Sequence, residues 1–283
     1  MSTTFEKTYT IGGDLTVNRL GYGAMRITGK GIWGPPKDKA ESIRVLQKAV
    51  ELGVNFIDTA DSYGPNVSEE LIAEALHPYK SGLVIATKGG LTRTGPDQWP
   101  VNSSPEYLKG ALEGSLKRLK LEQIDLYQLH RIDPNVPFEN TLEFLKKAQQ
   151  EGKIKHIGLS EVSVENIKKA QEYVEIVSVQ NMYSVDNRKW EAELQYCAEN
   201  KIAFIPWFPL NGGNEEGMKK ISALAEKKHA TLQQVALSWL LHHSPNILLI
   251  PGTSSVAHLE ENMKTTAVEL TPDDMNELES LSA

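Results

Sequence analysis

Short apolar stretches alternate with longer amphipathic ones along most of the chain, and this alternation sets the expected fold. Ile43, Leu46, Ala49, Val50 and Leu52 share one face of a helix that begins near Asp38 and stops at Gly53. The apolar run Val54 to Ile57 follows at once as a buried strand. The pairing then repeats, with helices expected over 69–76, 105–119, 138–151, 164–173 and 189–199, and strands over 83–88, 124–130, 156–160, 176–182 and 203–208. Two helices, 217–228 and 231–242, lead to a strand over 247–250. Leu20 to Met25 reads as the first strand, which makes eight. Helices over 256–264 and 272–281 finish the chain, the second opened by Thr271 and Pro272, a good N-cap and first-turn pair. Ahead of all this, residues 5–20 alternate apolar and polar around Gly12-Gly13-Asp14, the pattern of a β-hairpin, here a lid on one end of the core.

Apolar strands between amphipathic helices imply a parallel sheet covered on both faces. Eight such units in 283 residues favour a closed (β/α)8 TIM barrel with an N-terminal hairpin and extra C-terminal helices, its active site at the C-terminal ends of the strands. A composition of 40% hydrophobic and 24% charged residues also suits two small domains, but no linker or charge block divides the sequence, so one domain over 1–283 is expected. The net charge of −7, with no basic block, argues against nucleic acid. Cys197, alone and inside a helical pattern, excludes an internal disulfide and Cys-rich zinc schemes, and no metal is expected. The first residues lack a signal-peptide pattern and no apolar run reaches membrane length, so the expectation is a cytoplasmic protein without a membrane partner, monomeric or weakly homo-oligomeric. Gly21-Tyr22-Gly23 invites a dinucleotide-fold reading, but Arg26 stands where the third small residue belongs.

Candidate chemistry collects at the strand ends. Asp58 closes one strand and is followed by Thr59-Ala60-Asp61-Ser62-Tyr63-Gly64; Lys88, His130 and Ser160 close three more. A free tyrosine titrates near 10 and is a slow acid at neutral pH unless a cation stabilises its phenolate. Lys88 can supply that cation, Asp58 can neutralise Lys88, and His130 can orient a substrate oxygen. Taken singly, Asp58 reads as a turn cap, Tyr63 as a wall residue, Lys88 as a surface group and His130 as a core histidine. Their joint placement at strand ends is what favours chemistry.

The segments Phe56-Ile-Asp-Thr-Ala-Asp-Ser-Tyr-Gly64, Ala86-Thr-Lys-Gly89, Asp125-Leu-Tyr-Gln-Leu-His130, Ile157-Gly-Leu-Ser160, Val179-Gln-Asn181 and Ile250-Pro-Gly with Glu261-Asn262 resemble the aldo-keto reductase superfamily. That resemblance implies a barrel on which NADPH, or NADH, reduces a small aldehyde or ketone without metal. Tyr63 is then the proton donor, Lys88 and Asp58 its tuning pair, and His130 the carbonyl-orienting group. It further implies that Ser160 and Gln180 bond the nicotinamide carboxamide and that Trp207 stacks on its ring. Glu161 stands where an Asn is usual, and a carboxylate there can only accept from the carboxamide NH₂. Phe208 replaces a frequent serine at the pyrophosphate, which leaves the backbone from Pro209 and Leu210 through Gly212 and Gly213 as the cradle; an ordinary apolar strand is the alternative for Trp207 and Phe208. The resemblance also places Gly23, Met25 and Asp58 at the cofactor. Gly252, Thr253, Ser254, Ser255 and His258 resemble the segment for the adenosine 2′-phosphate, with Glu261 and Asn262 at the adenine.

Arg19 to Met25, Gly34-Pro-Pro36 and Ser244 to Leu259 are most similar to bacterial pyridoxal reductases within the family, which makes pyridoxal the candidate substrate. Ile32, Trp33, Trp99, Arg131 and Tyr183 are the expected pocket walls, Arg131 meeting either an anionic substrate or a surface carboxylate. Two other functions remain open on the residues: a Schiff-base lyase using Lys88, and a regulatory nucleotide-binding barrel with little turnover.

Overall fold

The computed structural model describes residues 5–208 and 215–281. Strands β1 (Thr8–Ile11) and β2 (Leu15–Asn18) form the expected antiparallel hairpin. Seven parallel strands then follow in chain order among the described residues: β3 (Tyr22–Gly23), β4 (Phe56–Asp58), β5 (Val84–Gly89), β6 (Ile124–Leu129), β7 (Ile154–Ser160), β8 (Ile176–Gln180) and β9 (Ala203–Phe204). Around them lie α1 (Lys39–Glu51), α2 (Val67–Leu76), α3 (Pro105–Leu119), α4 (Phe138–Gln150), α5 (Val164–Gln171), α6 (Glu191–Glu199), α7 (Glu215–Lys227), α8 (Leu232–His243), α9 (Val256–Met263) and α10 (Pro272–Glu279). The Thr271-Pro272 start of α10 is as expected, a capping box in which Thr271 and Asp274 satisfy each other's backbone N–H groups.

The eighth strand, expected over 247–250, is the seam of the barrel. Ile247 bridges Phe204 on one side and Leu249 bridges Leu20 on the other, both in parallel. Leu249 donates to Arg19 O and Gly21 donates to Leu249 O, each at 2.8 Å. Arg19, only 1% exposed, braces the seam by donating to the carbonyls of Glu6, Ser244 and Ile247. This seam also explains the Gly-Tyr-Gly run: a Cβ on Gly23 would lie 2.5 Å from Ile250 O, so close strand packing rather than a phosphate loop requires the glycine.

Four strands are shorter than expected by at least two residues, β4 and β8 by two and the first and the 203–208 strand by four. The first ends at Gly23 and passes into a 3₁₀ turn, Ala24–Ile27. The 203–208 stretch keeps strand-like bonds through Trp207, whose N–H donates to Asn181 O at 3.2 Å, before Phe208 turns away with φ +55°.

The lumen is layered. Ile11, Leu15 and Val17 of the hairpin pack with Phe56, Val84, Ala86, Leu126, Val177 and Leu248, so the hairpin plugs the N-terminal mouth with apolar side chains. Two residues further along β4, β5 and β6, and three along β8, the lumen turns polar, with Asp58, Lys88, Gln128 and Gln180 all at most 4% exposed. The chemistry is confined to the C-terminal end because the other end is filled. Among the described residues no helix is long and apolar enough to cross a membrane.

Candidate active site

Asp58 ends β4 and its carboxylate is saturated. Oδ2 accepts from the Lys88 ammonium at 2.5 Å, and Oδ1 accepts from the Nε2 atoms of both Gln128 and Gln180 at 3.0 Å. Lys88, from β5, is 0% exposed and also donates to Thr59 O at 2.8 Å and to the Tyr63 hydroxyl at 3.4 Å. Burying one such charge costs several kcal/mol, and only this mutual neutralisation offsets it. Gln128 went unread in the sequence, although it stands two residues before His130 and so points to the same lumenal side of β6.

Tyr63 sits on the turn after β4, packed with Ile32 and Ala60 and bordered by Met25 and Trp99. That turn needs Gly64 at φ +108°, where a Cβ would meet Val67 at 2.4 Å. The expectation that a cation lowers the phenol holds only as one contribution. Burial pushes Tyr63 above its ordinary value, Lys88 draws it back in part, and Asp58 opposes Lys88. Lys88 itself is raised: burial disfavours its charge, but Asp58 and Tyr63 more than compensate. It is a held ammonium without a free lone pair, which counts against the Schiff-base reading. His130 is pushed well below its usual value by burial and by the cations Lys88 and Arg131, so the imidazole is neutral. Its ring meets Tyr63 edge-on at 5.9 Å, and Nδ1 lies 3.5 Å from Ser62 Oγ.

Ser160, Glu161, Gln180 and Trp207 converge at the ends of β7, β8 and β9, but their partners differ from expectation. Gln180 Nε2 is turned to Asp58. Ser160 Oγ accepts from Arg131 at 2.9 Å, and its own proton meets no acceptor among the described residues. Glu161, at φ +55°, accepts from Met182 N at 2.6 Å and from the Trp207 indole at 2.8 Å, so one oxygen of its carboxylate anchors the indole. Phe208 is 42% exposed and edge-on to Trp207, not part of a buried strand. Pro209, Leu210, Gly212 and Gly213 lie outside the described residues.

Gly252 packs on Gly23, where a Cβ would meet Gly23 O at 2.7 Å. Thr253 is buried and its carbonyl accepts from Tyr22, whereas Ser254 and His258 are exposed. Ser255 caps α9 without a side-chain bond, and the first helical amide, Val256 N, is taken by Glu41 Oε1 at 3.0 Å. Glu41 is clasped in turn by Arg44. A carboxylate therefore takes the first amide of the helix terminus expected to hold an adenosine phosphate. Asn262 is 3% exposed and Glu261 half-buried beside it.

Among the expected walls, Ile32 and Trp99 pack against Tyr63, and Trp33, 37% exposed, bridges the backbone of Gly64 beside it. Arg131 is half-buried and meets no carboxylate at ion-pair distance among the described residues, so the surface salt bridge does not form. Tyr183 is not a wall. It is 0% exposed, stacked on Trp239, and its hydroxyl bonds Glu191 and His243.

Behind the site lies an acid network the sequence did not reveal. Glu69, 0% exposed, accepts from Thr87 and Arg118, while Tyr107 donates to Asp61 Oδ2 and Asp61 Oδ1 has no hydrogen-bond partner among the described residues. Burial first, then Glu69, push Asp61 up to about 7. The folded protein thus takes up this proton as pH falls through about 7, the unfolded chain only near 4. Asp61 costs stability progressively as pH rises between those values. Asp61→Asn is expected to flatten that slope and to be more stable than wild type by about 2–4 kcal/mol near pH 8, with little gain near pH 4, in urea titrations. An unchanged slope would remove Asp61 as its source.

A barrel with its floor plugged and a neutralised lysine against a buried phenol at the strand ends belongs to the class of barrel oxidoreductases. The Aldo/keto reductase family model matches residues 19–283, and the chain belongs to that family. It is similar to an uncharacterised oxidoreductase of Schizosaccharomyces pombe (52% identical, covering 91% of this chain and 84% of that one) and to pyridoxine 4-dehydrogenase of Escherichia coli (43% identical, 97% and 98%). In structure it is similar to the thermostable aldo-keto reductase Tm1743, solved with the inhibitor epalrestat (TM-score 0.85, 30% identical, 99% and 100%).

Proposed function

We propose that the chain, one cytoplasmic barrel domain over residues 1–283, reduces a small aldehyde to its alcohol with NADPH, with NADH as a weaker alternative and pyridoxal as the candidate substrate. The observation that carries this reading is the Tyr63 hydroxyl beside a fully neutralised Lys88 ammonium. Pyridoxal is supported by the likeness to the Escherichia coli enzyme, whose name pairs pyridoxine with oxidation at its 4-position.

The donor set fits a nicotinamide: a half-buried Trp207 face, the Ser160 hydroxyl proton, and glycines at 23 and 252 that bring two backbones close. When bound, a reduced nicotinamide supplies the hydride. In the proposed roles, Tyr63 donates the proton to the carbonyl oxygen. Neutral His130 orients that oxygen through an N–H on Nε2, the tautomer in which Nδ1, 3.5 Å from Ser62 Oγ, is the acceptor. Lys88 steadies the phenolate left behind, and Asp58 keeps Lys88 charged. Arg131 spends one terminal nitrogen on His130 O and Ser160, and its remaining N–H groups can meet an anionic oxygen on the substrate. The ring hydroxyl next to the aldehyde of pyridoxal is such a group.

Consumption of NADPH and of NADH is measured against a carbonyl panel headed by pyridoxal, with Arg131→Met alongside wild type. The expected result is turnover of pyridoxal at low KM with NADPH, and a pyridoxal KM raised about tenfold in Arg131→Met, while an uncharged aldehyde is little affected. Reaction of uncharged aldehydes alone would sink pyridoxal and keep the reductase. Cofactor binding with no turnover across the panel would leave the regulatory barrel as the better reading.

A further inference from the structure

Arg93 lies in the loop after β5, in none of the segments that carry the family resemblance, yet each of its five N–H groups has an acceptor. Nη1 donates to Ile32 O at 2.5 Å and Ser62 O at 2.9 Å, Nη2 to Gly31 O at 2.8 Å and Gly95 O at 3.2 Å, and Nε to Gln98 O at 2.9 Å. No carboxylate forms a salt bridge with it among the described residues. The guanidinium carbon stands 3.6 Å from the centre of the Trp99 ring and 5.6 Å from that of Trp33.

The five carbonyls come from three loops at the C-terminal end of the barrel, and two of them matter most. Ser62 O belongs to the peptide that joins Ser62 to Tyr63, so the clamp acts one bond from the backbone of the proposed proton donor. Ile32 O belongs to a wall residue packed on the Tyr63 ring and held at φ +52°. Backbone bonds from Gly64 N to Ile32 O at 3.3 Å, from Gly34 N to Gly64 O at 2.5 Å and from Asp97 N to Gly31 O at 2.9 Å join the same loops in pairs, whereas the Arg93 fork reaches all three at once. A planar fork of five donors suits this junction; an ammonium offers three and would leave at least two half-buried carbonyls without their partner.

On the carbonyl-reductase reading, we propose that Arg93 is the positioning residue of the substrate mouth, locking Tyr63, Ile32, Trp33 and Trp99 into the one arrangement in which a carbonyl is held for reduction. A reacting group misplaced by about 1 Å can lose about 10²-fold in rate.

Arg93→Lys and Arg93→Ala are compared with wild type by three readouts: steady-state kinetics, NADPH affinity, and acrylamide quenching of tryptophan fluorescence. The expected result is a fall of about 10- to 100-fold in kcat/KM for the carbonyl, carried mainly by KM, in both variants. NADPH affinity should be close to wild type, because the 252–262 segment is untouched. Quenching should rise in both variants as Trp33 and Trp99 lose the guanidinium. Millimolar guanidinium ion, but not methylammonium, should restore part of the Arg93→Ala rate. Wild-type kcat/KM and quenching in Arg93→Lys would overturn the role. So would lost rate without guanidinium rescue, with quenching unchanged and only the thermal midpoint lowered, since that is the behaviour of a purely structural brace. If wild type reduces no carbonyl, the reductase reading falls by itself, and the quenching comparison still decides whether Arg93 holds the mouth.

Discussion

Tyr63→Phe is expected to bind NADPH as wild type does and to reduce carbonyls about 10²- to 10⁴-fold more slowly. The substitution removes one oxygen from a ring that keeps its packing against Ile32, Ala60, Met25 and Trp99. That oxygen's bond to Lys88 is 3.4 Å long and contributes little to stability, so the variant should fold normally. Single-turnover reduction with cofactor preloaded isolates the step, and near-normal rates there would remove Tyr63 from the proton-donor role. The pH profile of wild type is a second check. Burial holds the phenol above its ordinary value, so the donor form persists through neutrality and is lost only in the alkaline range. His130 is neutral over the same range, because burial and two cations depress it. The single-turnover rate should therefore be level around neutral pH and fall only on the alkaline side.

Lys88→Met is expected to have the largest effect on stability, a loss of about 3–5 kcal/mol, together with loss of turnover. Methionine matches the stem of lysine but leaves the Asp58 carboxylate at 2% exposure with two glutamine amides and no opposite charge. Adding Asp58→Asn to Lys88→Met removes the stranded charge. The double variant should regain most of the lost stability and none of the turnover, which separates the electrostatic cost of an unpaired ion from the chemical role of the ammonium. Equal stability of Lys88→Met and wild type in denaturant titrations would mean that Asp58 is relieved in some other way.

The Asp58, Tyr63, Lys88 and His130 set was legible because each residue ends or follows a strand whose apolar run is local. The partners around that set were not. Gln128 shows only as a polar residue in an otherwise apolar strand, and nothing short-range says that its amide meets a carboxylate 70 positions away. Glu161 read as an odd replacement at a cofactor position, whereas its carboxylate holds the indole of Trp207, 46 positions on. Tyr183 looked like a wall residue, but its loop folds inward and stacks it on Trp239.

The sequence by itself determined the period of each element, the cap of the last helix, the order of eight strands and helices, and the residue types at the strand ends. Those depend on neighbours within a turn or two, and side-chain spacing records them directly. Only the tertiary structure decided that 247–250 is the seam between β3 and β9, that Glu41 caps α9 215 positions later, and that Arg93 joins three loops. Such contacts are stable because packing removes water from both partners at once, and a linear sequence carries no record of which distant groups are buried together.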